Sequence, residues 1–186
     1  MSTDTLSVEI DAWEYVVLLL YVAIIGTVYA NQQVRKARHH PEFRYYSWGL
    51  VAKVIGGVLF TLTYLFYYGN GDTLSYFQTS VVLSKLAMND LTTWTRAMLM
   101  DNTLANYYQL FNNRTGYPME YVYLDDPSYA LAKFTSLLAM LAGNSILLTV
   151  AMVGTVAYGG VWRFYRMLVR RFPSLSGELA FAVLFF

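Results

Sequence analysis

Residues 136–158, SLLAMLAGNSILLTVAMVGTVAY, decide the fold because they contain no charged side chain. About 20 consecutive apolar residues in a helix are enough to cross the hydrocarbon core of a bilayer. We therefore predict that this stretch is a membrane-spanning helix, and the rest of the chain is interpreted around it.

The composition of the whole chain agrees with a membrane protein. Hydrophobic residues make up 56% of the 186 residues and charged residues only 13%, whereas typical soluble domains contain roughly 25% charged residues. The formal net charge is +1, and the basic residues lie in two short clusters instead of along one face, so we expect no nucleic-acid partner. The chain has no cysteine, which excludes disulfides, zinc–thiolate sites and a thiol nucleophile.

Two further apolar runs predict two more spans, over residues 13–30 and 50–68. Glu14 is the only charged residue in the first run. Lys53 is the only charged residue in the second run and lies near enough to its end to reach the headgroups. The tail 1–12 has acids but no Lys or Arg, unlike a signal peptide, so we expect the first span to be retained. Residues 179–186 predict the start of a fourth span. The predicted fold class is an all-α integral membrane protein with three full transmembrane helices and the start of a fourth.

The basic residues orient these spans. Eight of the 13 Lys and Arg residues lie in segments 31–49 and 159–178, namely Arg35, Lys36, Arg38, Arg44, Arg163, Arg166, Arg170 and Arg171. Cytoplasmic loops carry such an excess, so we expect these two segments to be cytoplasmic. The N-terminal tail and the long loop 69–135 then lie outside, and the expected location is a bacterial inner membrane.

The long extracytoplasmic loop has a helical pattern of its own. Apolar residues recur at intervals of three and four over 73–91 and again over 91–110, which predicts two amphipathic helices on the membrane surface or against the spans. The cluster of residues 112–116 predicts a turn. A further helix is expected to begin after Asp125, Asp126 and Pro127, and it can run straight into the third span.

Asp72 is the leading candidate for a functional residue. It lies in the segment YYGNGDT, residues 67–73, where the second predicted span leaves the membrane and glycines allow tight backbone turns. A carboxylate there can act as a general base. The alternative is structural, because Asp72 could cap the following helix and Gly69 could terminate the preceding one.

A second acidic pair, Asp125 and Asp126, lies near the other end of the loop. If the loop folds back on itself, these carboxylates approach Asp72, and convergent carboxylates bind hard divalent cations. A divalent cation is therefore the one cofactor that the pattern suggests, with Asp72, Asp125 and Asp126 as its ligands. The alternative is that all three residues cap helices or are merely solvated, and their spacing matches no recognised metal motif.

The order of these features resembles a known class of enzymes. The chain resembles the N-terminal part of multi-span GT-C glycosyltransferases. The features that carry this resemblance are a span, a carboxylate immediately outside it within YYGNGDT, an outer loop with surface helices, and another span. The likeness is to bacterial mannosyltransferase-like or polysaccharide-polymerase-like proteins and covers roughly residues 50–186. In that class an essential acidic residue lies in the first large extracytoplasmic loop, and the donor is a sugar on a polyprenyl phosphate. The resemblance implies that Asp72 is that residue.

The function expected from this resemblance is transfer of a sugar from a polyprenyl-phosphate donor at the extracytoplasmic face. Asp72 would be the catalytic base, Asp125 and Asp126 would assist or hold a metal, and Arg96 or Arg114 would face the donor phosphate. We expect this activity if the chain continues into more spans beyond Phe186, and no independent enzyme if 186 residues are the full protein. Membrane lipids and other membrane subunits are further expected partners.

Two alternatives remain from the sequence. The chain could be a non-catalytic accessory or structural subunit of a larger membrane complex, with Asp72 only a cap. A transporter or channel is the weaker alternative, since apart from Lys53 the spans lack the ionisable residues that line such pathways.

Overall fold

The computed structural model describes residues 10–172, Glu178 and Phe181. This part of the chain is helical and contains no β-strand. Its α-helices are α1 (Ala12–Ala37), α2 (Tyr46–Thr63), α3 (Asp72–Asn89), α4 (Leu91–Leu99), α5 (Leu104–Leu110), α6 (Glu120–Leu124), α7 (Asp126–Leu141) and α8 (Ile146–Arg171). A 3₁₀-helix, Pro41–Tyr45, precedes α2, and a π-helix, Tyr64–Tyr68, follows it. The predicted start of a fourth span at 179–186 lies outside the described residues, apart from Phe181.

Three of the helical segments are long and apolar enough to cross a membrane. They are Ala12–Ala37, Pro41–Tyr68 and Ile146–Arg171, which confirms three helices of spanning length and composition in an all-α chain. The segments are longer than predicted at the basic ends, because α1 and α8 continue through residues that were predicted to be loops.

The third of these segments begins at Ile146 and not at residue 136. The chain breaks between α7 and α8, where Gly143 and Asn144 both adopt the left-handed conformation with φ of 62°. The Ser145 hydroxyl then accepts a hydrogen bond from the Leu148 N–H at 3.2 Å and caps α8. The sequence left open whether α7 runs straight into the span, and the structure shows that it does not. No proline marks this break, and the apolar run continues through it.

The chain divides into two compact units, which we describe separately. The span unit comprises Ala12–Phe60 and the chain from Val150 onward, and the interspan unit comprises Thr61–Thr149. The core of the span unit is rich in aromatic side chains, including Phe43, Tyr158, Trp162 and Tyr165. Tyr158 donates a hydrogen bond from its hydroxyl to the Tyr46 carbonyl oxygen within that core.

The interspan unit has a hydrophobic core of its own, built from α3 to α7 and the segments that join them. Its buried members include Val82, Leu83 and Leu86 of α3, Ala97 of α4, Tyr107 and Leu110 of α5, Val122 and Tyr123 of α6, and Tyr129 and Ala132 of α7. Helix α3 was predicted to lie on the membrane surface or against the spans, and half of its 18 residues are buried. Its apolar residues pack against other helices of the loop, a tertiary arrangement that periodicity alone does not reveal.

The loop between Asn89 and Gly116 agrees with the predicted helices at one boundary and departs from them at another. Asp90 caps α4 by accepting a hydrogen bond from the Thr93 N–H at 3.0 Å, which agrees with a boundary near residue 91. The helix predicted over 91–110 is two helices, because Thr103 caps α5 after an extended Met100. The turn at 112–116 is confirmed, and Asn112 and Gly116 form an isolated bridge there.

Candidate functional site

Helices α3 and α7 pack side by side in the same direction. The Tyr76 hydroxyl lies 3.3 Å from the Ser128 hydroxyl, and the Ser80 hydroxyl donates to the Ala132 carbonyl oxygen at 3.0 Å. In each pair the two residues are 52 positions apart along the chain. A step of one turn along α3 therefore matches a step of one turn in the same direction along α7. The N-terminal ends of the two helices, which carry Asp72 and Asp126, therefore lie at the same end of the interspan unit.

Asp72 is exposed and is the first residue of α3. The cap position belongs to Gly71, and no side chain caps this helix end. Among the residues that the structure describes, none forms a hydrogen bond or ion pair with the Asp72 carboxylate. Gly69 does end the preceding helix in the left-handed conformation, with φ of 67°. The predicted role of Gly69 as a helix terminator is therefore confirmed, whereas the alternative that Asp72 caps α3 is not.

The backbone immediately before Asp72 is held in an unusual conformation. Gly71 has φ of 150° and ψ of 166°, a region that essentially only glycine occupies. Its carbonyl oxygen accepts hydrogen bonds from the N–H groups of Leu74 at 3.0 Å and Ser75 at 3.1 Å. The ring of Tyr64 stands against the space where a Cβ at position 71 would be placed. Tyr64 itself begins the π-helix, a feature found frequently at functional sites.

The acidic pair at the start of α7 has two separate roles. Asp125 is the cap of α7 and accepts a hydrogen bond from the Ser128 N–H at 3.1 Å, as predicted. The hydrogen bonds from Ser128 lower the pKa of the Asp125 carboxyl. Asp126 instead accepts a hydrogen bond from the Asn102 side-chain amide at 2.9 Å.

Asp126 lines a polar cleft of about 560 Å³ in the interspan unit. The cleft is also lined by Met100, Asp101, Asn102, Thr103, Leu124, Ala130 and Lys133. Carboxylates, an amide, a hydroxyl and an ammonium group thus face one space, and this combination can accept and donate hydrogen bonds to the hydroxyl groups of a sugar. We name this space the polar cleft.

Lys133 is one of the residues of this cleft that sequence reasoning missed. Its ammonium nitrogen lies 4.5 Å from the centre of the Tyr129 ring, which is within the range of a cation–π interaction. Partial burial lowers the pKa of Lys133, and the nearby negative charge of Asp126 opposes that shift. The available signal was the spacing of seven residues between Asp126 and Lys133, about two helical turns, which places both on one face of α7.

Buried tyrosines form part of the hydrophobic core of the interspan unit. The Tyr129 hydroxyl donates to the Ala97 carbonyl oxygen at 3.3 Å, and the Tyr107 hydroxyl donates to the Pro118 carbonyl oxygen at 2.7 Å. The rings of Tyr129 and Tyr123 lie 4.7 Å apart. Burial raises the pKa of Tyr107 to about 12, so these hydroxyls are neutral donors that fix the packing of α4 to α7.

The two arginines that were predicted to face the donor phosphate do not line this cleft. Arg96 lines a different cleft on α4, and Arg114 is exposed in the turn at 112–116. Over the described part of the chain, no group of three or more His, Cys, Asp or Glu residues is arranged to hold a metal ion. Asp72, Asp125 and Asp126 therefore do not form a metal site in this structure. The Asp125 carboxylate accepts a hydrogen bond from the Ser128 N–H, and the Asp126 carboxylate accepts one from the Asn102 side-chain amide.

Comparison with known proteins provides no assignment for this arrangement. No protein-family model matches the chain, and neither curated proteins nor solved structures give a significant match. The function is therefore inferred from the residues of the site itself.

Proposed function

We propose that the protein is a membrane glycosyltransferase, or part of one, that transfers a sugar from a polyprenyl-phosphate donor at the extracytoplasmic face. Asp72 is the general base in this proposal, and the polar cleft holds sugar hydroxyl groups. The interspan unit lies outside the cytoplasm, and the basic ends of the three long helices face inward, as the excess of Lys and Arg there favours.

The observation that carries the proposal is the state of Asp72. Its carboxylate is exposed, is not used to cap α3 and has no partner among the described residues. A glycine-only backbone conformation and the Tyr64 ring fix its position directly after a helix of membrane-spanning length. A glycine-only backbone conformation beside a free carboxylate supports the hypothesis of a functional site, whereas a capping residue would accept a hydrogen bond from the helix end.

The proposed reaction uses one proton transfer and one displacement. The acceptor hydroxyl oxygen forms a bond to the anomeric carbon of the donor sugar while its proton passes to the Asp72 carboxylate. The bond between the anomeric carbon and the phosphate oxygen breaks, and the electron pair leaves with the polyprenyl phosphate. In the cleft, the Lys133 ammonium group donates a hydrogen bond that orients a hydroxyl or phosphate oxygen. The sequence had suggested this role for Arg96 or Arg114.

The test compares Asp72→Asn with Asp90→Asn in isolated membranes supplied with radiolabelled polyprenyl-phosphate sugars. Both changes remove one negative charge from an exposed position of the interspan unit, and Asn at position 90 can still cap α4. Asn at position 72 keeps the shape of the side chain but cannot take a proton. We expect loss of sugar transfer, by roughly 100-fold or more, only in Asp72→Asn. Equal transfer by the two variants, at equal protein abundance, would reject the catalytic role.

A second function, that of an accessory subunit, is favoured by one observation. Large apolar side chains are exposed along the interspan unit, including Leu91, Leu99, Tyr108 and Tyr121, and Leu99 is 81% exposed. Exposed apolar surface of this kind is found at contacts with other proteins or with lipid. Affinity purification of the tagged chain from its own membranes distinguishes the two, since a stoichiometric membrane partner together with an active Asp72→Asn variant would favour the subunit.

A further inference from the structure

The last two turns of α8 in the span unit form a cleft of arginines. Arg163, Arg166, Arg170 and Arg171 line it together with Met167, and its volume is about 450 Å³. Residues 163, 166 and 170 are three and four positions apart, so they lie on one face of the helix. We name this feature the arginine cleft.

One carboxylate organises two of the four arginines. The Glu42 Oε1 atom accepts hydrogen bonds from Arg166 Nε at 3.3 Å and from Arg170 Nη2 at 3.2 Å. Glu42 is only 11% exposed, and the Arg166 guanidinium also lies 4.8 Å from the centre of the Phe43 ring. The Glu42 carboxylate, in the segment before α2, therefore joins the guanidinium groups of Arg166 and Arg170, whose side chains are 29% and 57% exposed.

The other two arginines keep their positive charge available. Within the described residues, neither Arg163 nor Arg171 forms an ion pair, and both are exposed. Four guanidinium groups against one carboxylate leave the cleft with an excess of three positive charges. Guanidinium groups bind phosphate oxygens in bidentate fashion, so the chemistry of the cleft fits a phosphate group.

The surroundings of the cleft select a lipid over a soluble phosphate. The cleft lies at the end of a helix long and apolar enough to span a membrane. Phe164, Met167 and Phe172 are each about half exposed beside the arginines, at 49%, 49% and 52%. Apolar side chains next to cations at the end of a span match the border between acyl chains and headgroups.

We propose that the arginine cleft is a binding site for the phosphate headgroup of an anionic glycerophospholipid. Arg163 and Arg171 contact the phosphate oxygens, Arg166 and Arg170 are held beside them by Glu42, and the exposed apolar side chains contact the acyl chains. This site is separate from the polar cleft and does not depend on the proposed transferase activity.

The experiment measures binding of fluorescent phosphatidylglycerol to the full chain in micelles of a neutral detergent. Phosphatidylcholine with the same acyl chains serves as the zwitterionic probe, and inorganic phosphate serves as the soluble competitor. The test variant is Arg163→Gln/Arg171→Gln. Its matched control is Arg35→Gln/Arg38→Gln, which removes two exposed arginines from the same unit but outside the cleft.

We expect saturable binding of phosphatidylglycerol that weakens about 30-fold in the test variant and less than about threefold in the control. The affinity for phosphatidylcholine should be no higher in the unaltered chain than in the test variant. Equal weakening in the test and control variants would overturn the proposal, because it would show a diffuse attraction to surface charge. Displacement of the lipid by low-millimolar inorganic phosphate would also overturn it and would indicate a site for a soluble anion.

Discussion

The Tyr64 ring occupies the space that a Cβ atom at Gly71 would need. Because Gly71 precedes Asp72 directly, this contact fixes the backbone from which the proposed base projects. Both the contact and the positive φ of Gly71 act against any other residue at this position. A residue with a Cβ at position 71 would therefore have to displace the ring of a tyrosine that lies eight positions before Asp72.

Replacing Gly71 by Ala should damage both the interspan unit and sugar transfer. The backbone conformation alone costs about 1–3 kcal/mol for a residue with a Cβ, and the Tyr64 ring must also move. Gly69→Ala is the matched control, since Gly69 also has a positive φ but a Cβ added there would meet no atom within 4 Å. Its expected cost is about 1 kcal/mol.

Unfolding by SDS titration in mixed micelles, together with the transfer assay, measures both variants. Adding Tyr64→Ala to Gly71→Ala should restore part of the lost stability, because it removes the collision but not the backbone strain. If Gly71→Ala behaves like Gly69→Ala, the Tyr64 contact has no role in positioning Asp72.

The Tyr129 hydroxyl should contribute to stability through the Ala97 carbonyl. Tyr129→Phe removes this buried hydrogen bond but keeps the ring under Lys133, and we expect the free energy of unfolding to fall by about 1 kcal/mol. Tyr108→Phe is the control, because Tyr108 is exposed on the neighbouring α5 and should change stability by less than about 0.5 kcal/mol. Equal effects in SDS titration would show that the Tyr129 hydrogen bond contributes nothing.

Asp125 should make the stability of the interspan unit sensitive to acid. Hydrogen bonds from Ser128 lower the pKa of its carboxyl in the folded state, so the ionised form stabilises the fold above the ordinary pKa of about 3.9. That contribution is lost as the pH falls through the lower folded pKa. Melting temperatures between about pH 2 and 7 should show this loss in the unaltered chain, and a smaller loss in Asp125→Asn, which caps the helix without titrating. An unchanged pH profile in the Asn variant would contradict the role of Asp125.

Glu42→Gln should separate the stability of the arginine cleft from its affinity for lipid. The variant loses charge-assisted hydrogen bonds to Arg166 and Arg170, which should lower the free energy of unfolding by about 1–2 kcal/mol. The cleft also gains one unit of net positive charge, so phosphatidylglycerol should bind more tightly. Weaker binding would instead indicate that the placement of the two arginines by Glu42 matters more than the total charge.

The sequence was most informative where a single residue type has a strong local preference. Asp125 followed by Asp126 and Pro127 predicted the start of α7 correctly, because capping by Asp and proline in the first turn act within a few residues. The three long apolar runs likewise identified the three spanning-length helices. These features depend on neighbouring residues and need no knowledge of the tertiary fold.

The features that the sequence did not reveal depend on contacts between distant residues. The placement of Arg166 by Glu42 joins residues 124 positions apart, and no local pattern indicates that pairing. The break at Gly143 and Asn144 was hidden by apolar residues on both sides, because hydropathy reports burial or lipid contact and does not report helix continuity. Asp72 was chosen as a candidate by its position after a span, but the sequence did not reveal that the cap position of α3 belongs to Gly71.

The parallel arrangement of α3 and α7 has a consequence for the electric field at Asp72. Each helix carries about half a positive elementary charge at its N-terminal end, and two parallel helices add these charges where antiparallel helices would oppose them. The carboxylates of Asp72, Asp125 and Asp126 balance this field while they are ionised. In the proposed reaction, proton uptake by Asp72 would remove one negative charge, and the positive field of the paired helix ends would then stabilise the charge that grows on the departing phosphate.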